Sequence, residues 1–183
     1  MAKKPFTPIP PMAELPPAEE IDVKEILDRY LSGEIDLICV LGPTASGKTR
    51  YAVSLARQIN ALLSTTDGVQ AGSERTPVAP CQELLPPAAR GVARFPTPPE
   101  HRVTGAEIIS ADSRQVYRGM DIGTGKDLAE YEEIPYHLMD IVDAGTKYNI
   151  FEYQRDFEKA YKDIVDRGGI PILCGGSGLY IEA

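Results

Sequence analysis

Apolar positions along the chain fall into two rhythms, and their alternation predicts the fold. Val23, Ile26, Leu27, Tyr30 and Leu31 stand three and four apart, one face of a helix that Gly33 ends. The run from Ile35 to Leu41 has little polar alternation, as expected of a strand covered on both faces. A second helical stripe follows in Ala52, Val53, Leu55, Ala56 and Ile59, within a helix expected over about 47–60. Glu107 to Ser110 reads as a second strand, after which Asp112 or Ser113 is placed to cap a short helix stopping at Gly119. Met120 to Lys126 holds Gly123 and Gly125 and reads as loop, and Tyr136 to Val142 reads as a third strand. Phe151, Gln154, Phe157, Ala160, Tyr161, Ile164 and Val165 predict a helix over 151–165, ended by Arg167-Gly168-Gly169. Ile170 to Cys174 makes a fourth strand. Strand, loop and helix in this order predict a parallel sheet with helices on its faces. Ligands of such sheets bind at the carboxyl ends of the strands, where the loops 42–49, 110–119 and 175–180 converge.

Two stretches break the rhythm. Residues 1–20 carry six prolines and are expected to form an extended, disordered tail. Residues 62–106 carry seven prolines, four arginines against four acids, and no sustained period. That composition buries too little apolar surface to offset chain entropy, which predicts a disordered insertion. The core is thus expected over 21–61 and 107–183. Joining Asn60-Ala61 to Glu107-Ile108 leaves an uninterrupted seam, and the 45 residues between have the character of a translated intervening sequence.

The chemistry begins at Gly42-Pro43-Thr44-Ala45-Ser46-Gly47-Lys48-Thr49, a G-x-x-x-x-G-K-T loop between a strand and a helix. Glycines there let successive N–H groups turn inward on phosphate oxygens, and the following helix aims its positive end at the same point. Lys48 adds a full charge for a terminal phosphate, and Thr49 offers a hydroxyl to a phosphate-bound Mg²⁺. Asp112, just past the second strand, has three open readings: Mg²⁺ ligand, general base or helix N-cap. Gly175-Gly176-Ser177-Gly178 presents N–H groups and a hydroxyl at the same edge, although from the residues alone a strand-to-helix turn needing glycine for close packing is the better explanation. His137 reads as structural, and Asp140 and Asp143 are weak candidates for a Mg²⁺-side carboxylate. Thr124-Gly125-Lys126-Asp127 lacks the spacing of a guanine signature, which argues against a GTPase.

Composition narrows the classes. A net charge of −8 has the wrong sign for holding nucleic acid by bulk electrostatics, so any such binding needs a local patch. Cys39, Cys81 and Cys174 lack metal-ligand spacing, and Cys39 and Cys174 read as reduced residues of buried strands. No apolar run is long enough to span a membrane, so a cytoplasmic protein is expected.

Taken together, these segments resemble the tRNA dimethylallyltransferases, also called tRNA isopentenyltransferases. The resemblance is carried by the 42–49 loop, by Ile108-Ile109-Ser110-Ala111-Asp112-Ser113-Arg114-Gln115-Val116-Tyr117-Arg118-Gly119 and on to Thr124, by Tyr136-His137-Leu138-Met139-Asp140-Ile141-Val142-Asp143, and by Ile170 to Tyr180. It implies a truncated phosphate-loop (P-loop NTPase-like) α/β fold and a transferase of tRNA modification. The reaction is transfer of a dimethylallyl group from dimethylallyl diphosphate to N6 of the adenosine 3′ to the anticodon. It further implies that Thr44 and Lys48 hold the diphosphate with Mg²⁺, and that Asp112 is the general base. Asp112, Ser113, Arg114 and Gln115, with Ser177 at the channel mouth, are expected to contact the anticodon stem-loop of a tRNA. The family usually has threonine where this chain has Ser177. The family's helical tRNA-gripping domain and a later diphosphate-binding arginine are expected to lie outside these 183 residues, and a monomer is expected. Adenylate isopentenyltransferases are the first alternative, but they carry N-S-D-K-I-Q-V-Y where this chain has S-A-D-S-R-Q-V-Y. A nucleotide-binding (ATP-binding) small-molecule kinase on the same fold is the second, and a fragment that only binds phosphates is the third.

Overall fold

The structure, a computed structural model, describes residues 20–66 and 103–182. The expected tail over 1–19 and the stretch 67–102 of the expected insertion lie outside these residues. Four strands form one parallel sheet: β1 (Ile38–Leu41), β2 (Gly105–Ala111), a two-residue β4 (Tyr136–His137) and β6 (Gly169–Gly175), in the order β1-β6-β2-β4. A small second sheet pairs β3 (Tyr117–Arg118) with β5 (Val142–Asp143), also in parallel.

Helices cover both faces. On one, α1 (Val23–Leu31) and α2 (Lys48–Thr66) bury Leu27, Tyr30, Val53, Leu55 and Ile59 against Ile108 and Ile172. On the other, α3 (Ile150–Asp166) buries Tyr153, Tyr161, Ile164 and Val165 against Ile109 and Leu173. Alternate residues of β2 thus feed two cores, as the period of two requires. The helix ends follow the sequence: Asp22 caps α1, Asn149 and Glu152 form a capping box on α3, and Gly33 and Gly168 leave in left-handed conformations.

Several boundaries differ from the sequence expectation. α2 runs to Thr66 because Leu62 and Leu63 still pack on the core, and β2 begins at Gly105, where Asn60 Oδ1 accepts the Ala106 amide at 2.7 Å. Regular structure thus reaches into the expected insertion from both sides, to Thr66 and from Gly105. β1 is an edge strand with alternating burial; Cys39 and Leu41 are exposed, so neither double coverage nor a buried Cys39 holds. Phe151 is exposed, and Tyr153 takes the inward place, stacked on Tyr180 at 3.9 Å.

No helix forms at 112–119. The chain makes a turn, with the Gln115 amide bonded to the Asp112 carbonyl, and then pairs as β3. Nor is 136–142 one strand. Leu138 and Asp140 adopt left-handed φ, and the amides of Asp140, Ile141 and Val142 bond the carbonyls of Gln115 and Val116 instead. The segment exchanges one neighbour for another in mid-course.

Candidate functional site

The loop from Gly42 to Gly47 leaves β1 and enters α2 at the carboxyl edge of the sheet, with Ala45 and Gly47 in left-handed conformations. Lys48 folds back over this loop, its ammonium 2.6 Å from the Pro43 carbonyl. The end of β6 closes tightly on it. A Cβ at Gly176 would stand 2.4 Å from the Gly42 carbonyl oxygen and 3.6 Å from Lys48 Nζ, and one at Gly175 would stand 2.4 Å from the Ala111 carbonyl oxygen. Close packing therefore requires both glycines, and that same packing draws three loops together.

Asp112 sits where β2 ends. Its Oδ1 accepts the Arg114 amide at 2.9 Å, and the Arg114 guanidinium lies 3.7 Å away. Ser177 Oγ accepts the Ser113 amide at 3.0 Å, and the Ser177 amide bonds the Ala111 carbonyl at 3.2 Å. The loop after β6 thus holds the turn after β2. Gln115 is buried: Oε1 accepts from Ser110 Oγ at 3.0 Å and Nε2 donates to the Gly125 carbonyl at 3.3 Å. Its side chain works within the fold, while Ser113 and Arg114 are exposed.

A cleft of about 390 Å³ lies between these loops. Thr44, Ala45, Gly47, Lys48 and Thr49 form one wall, Asp112 and Gln115 another. Thr124, Gly125, Glu130, Tyr131 and Cys174 also line it, and sequence reasoning gave none of these a place in the site. Tyr131 reaches it from a short 3₁₀ helix (Leu128–Tyr131) capped by Asp127, which no period announces. Burial, partly countered by Lys48, pushes the Cys174 thiol up to about 11, so it is a neutral wall group at ordinary pH. A larger cleft of about 520 Å³ along α1 is walled by surface charges such as Asp22, Lys24 and Arg29 and has no phosphate-binding loop.

Other polar candidates are engaged elsewhere. His137 Nε2 lies 2.7 Å from Glu107, which also binds Arg167 through two bonds, at the amino-terminal half of the sheet. Asp140 binds Lys126 and Asp143 binds Arg118; neither lines the cleft. Among the described residues no cluster of His, Cys, Asp and Glu could hold a metal by itself, and no helix is long and apolar enough to cross a membrane.

A glycine-rich loop between a parallel strand and a helix, facing a carboxylate across one cleft, defines a phosphate-loop α/β protein. Comparison with known proteins narrows this class. The family model described as IPP transferase matches residues 115–183. A tRNA dimethylallyltransferase of Bacteroides fragilis is 45% identical over 154 residues, covering 82% of this chain and 36% of that protein. One of Geotalea uraniireducens is 45% identical over 148 residues, covering 81% and 34%. Among solved structures, the tRNA isopentenylpyrophosphate transferase of Bacillus halodurans superposes with a TM-score of 0.54 at 32% identity, covering 80% of this chain and 34% of that one. A eukaryotic dimethylallyltransferase acting on tRNA gives 0.52 at 26% identity, covering 80% and 26%. The chain belongs to the tRNA dimethylallyltransferase family, and it spans about a third of the length of the curated relatives it matches.

Proposed function

We propose that this chain carries the diphosphate-binding and proton-accepting core of a tRNA dimethylallyltransferase. The substrates are dimethylallyl diphosphate and the adenosine 3′ to the anticodon of a tRNA. The observation that carries the reading is that Lys48, the phosphate loop and Asp112 line one cleft.

The N–H groups of 44–49 and the Lys48 ammonium receive the diphosphate. Binding pulls Lys48 off the Pro43 carbonyl, a neutral partner, onto an anionic one. These groups stabilise the charge that gathers on the leaving oxygen as the carbon–oxygen bond breaks. Inorganic diphosphate departs, and the adenine N6 lone pair forms the new bond to the dimethylallyl C1. The proton lost from N6 passes to the Asp112 carboxylate. Thr49, whose hydroxyl is an oxygen donor of the kind Mg²⁺ accepts, lines the cleft and would hold such an ion beside the diphosphate. The ion would supply charge neutralisation on the diphosphate. The exposed Ser113 and Arg114, which follow Asp112 directly in the chain, are the groups to meet an extruded adenosine as it enters.

The test is Asp112→Asn in a protein of the relatives' full length. Single-turnover transfer to an anticodon stem-loop is expected to slow by about 10²–10⁴, the usual contribution of a placed base. Dimethylallyl diphosphate affinity should stay the same, because Asp112 is outside the phosphate loop. An unchanged transfer rate would leave Asp112 as the cap of the 112–114 turn and no more.

A further inference from the structure

A buried ammonium stands behind the cleft, outside every role assigned above. The Lys126 side chain has no solvent exposure. It donates to Asp140, to Asp121 Oδ1 at 2.8 Å and to the Tyr117 carbonyl at 3.0 Å. Burial draws its pKa down, but the two carboxylates outweigh burial and raise it, so the lysine stays charged.

Its three partners stand on three separate segments: β3, the glycine loop, and the bend between β4 and β5. The glycine loop needs such an anchor. Gly119, Gly123 and Gly125 are all left-handed, and glycine gives a loop little rigidity of its own. Both arms of the tie also lead to Gln115. Beside Lys126, the Gly125 carbonyl accepts from Gln115 Nε2 at 3.3 Å, and the Asp140 amide donates to the Gln115 carbonyl at 3.0 Å. Gln115 in turn closes the turn that begins at Asp112, through its amide bond to the Asp112 carbonyl at 3.2 Å. Thr124 and Gly125 line the cleft, so the anchored loop is itself a cleft wall.

We propose that Lys126 is a positioning residue of this site: its buried ammonium fixes the Thr124–Gly125 wall and, through Gln115, the turn that carries Asp112. The purpose of that wall rests on the function proposed above; the tie itself does not. Charge is what the position needs. A methionine fills similar volume but removes three donated bonds and leaves Asp121 and Asp140 without their shared cation.

The test uses the 183-residue chain, ¹⁵N-labelled, with amide spectra and hydrogen exchange. In Lys126→Met, amides between 113 and 126 are expected to exchange tenfold or more faster. The Ser113 and Arg114 resonances should shift or broaden, since those amides bond Ser177 and Asp112. Amides of α2 and β6 should keep their rates, and Lys126→Arg should restore the local protection. Unchanged local exchange, a uniform loss of protection along the chain, or an arginine variant no better than methionine would each overturn the proposal. Should Lys126→Met fail to fold, Asp121→Asn removes one arm from the exposed side, and exchange confined to 119–126 must rise. Binding of dimethylallyl diphosphate by the unsubstituted chain is a separate measurement, and its failure would strike the proposed function while leaving the tie intact.

Discussion

Gly176→Ala tests whether the loop after β6 sets the shape of the phosphate loop. The added Cβ would lie 2.4 Å from the Gly42 carbonyl oxygen, whereas such contacts essentially never fall below 3.0 Å. Relief requires about 0.6 Å of movement between two backbones, with no flexible side chain to absorb it. Gly176 is not left-handed, so the effect is one of space and not of backbone strain. Overpacking of this kind costs about 1–3 kcal/mol. Borne by the bound geometry, that is about a 5- to 150-fold loss of diphosphate affinity. Borne by the fold, it lowers Tm by about 2–4 °C per kcal/mol for a chain of this size. Calorimetry with dimethylallyl diphosphate and Mg²⁺, beside a thermal melt, separates the two. Gly178→Ala is the control, since a Cβ there meets nothing within 4 Å. Equal affinity and equal Tm for Gly176→Ala and the unsubstituted chain would refute the packing argument.

Two further perturbations probe the frame. Glu107→Gln leaves Arg167 and His137 without their shared carboxylate and is expected to destabilise by about 1–3 kcal/mol in a denaturant melt. Burial raises the Glu107 pKa, but Arg167 and His137 outweigh it and lower it below 4.5. Its contribution is therefore full above pH 4.5 and disappears as pH falls through the lower folded value. The Gln variant should lack that part of the acid loss, and an identical acid profile would contradict the ion pair's role. Asn60→Ala orphans the Ala106 amide, whose residue is 1% exposed, and should cost about 1–3 kcal/mol by the same assay. A neutral result would show that β2 does not need this anchor.

Much of this was legible in the chain because the informative residues act locally. The 42–49 loop declares itself by glycine spacing between a strand and a helix, and Gly33 and Gly168 mark helix ends by the left-handed conformation that glycine permits. Misreadings arose where partners distant in sequence decide. Cys39 and Leu41 look like core, but only the position of β1 at the sheet edge exposes them. Tyr136 to Val142 looks like one strand, and the bend depends on Asp140 meeting Lys126 and on amides meeting Gln115 and Val116. Asp112 looks like a helix cap and caps a turn instead, because Val116 pairs with the 141–142 segment. The cleft wall at Tyr131 had no signal, since that residue belongs to no motif and only the fold brings it to the cleft that Lys48 lines.

Titration calorimetry of the 183-residue chain with dimethylallyl diphosphate and with ATP, each with and without Mg²⁺, decides whether the phosphate loop receives the diphosphate proposed for it. Mg²⁺-dependent binding of dimethylallyl diphosphate, weakened strongly by Lys48→Ala, is expected. Tight binding of ATP with no binding of dimethylallyl diphosphate would contradict the proposal.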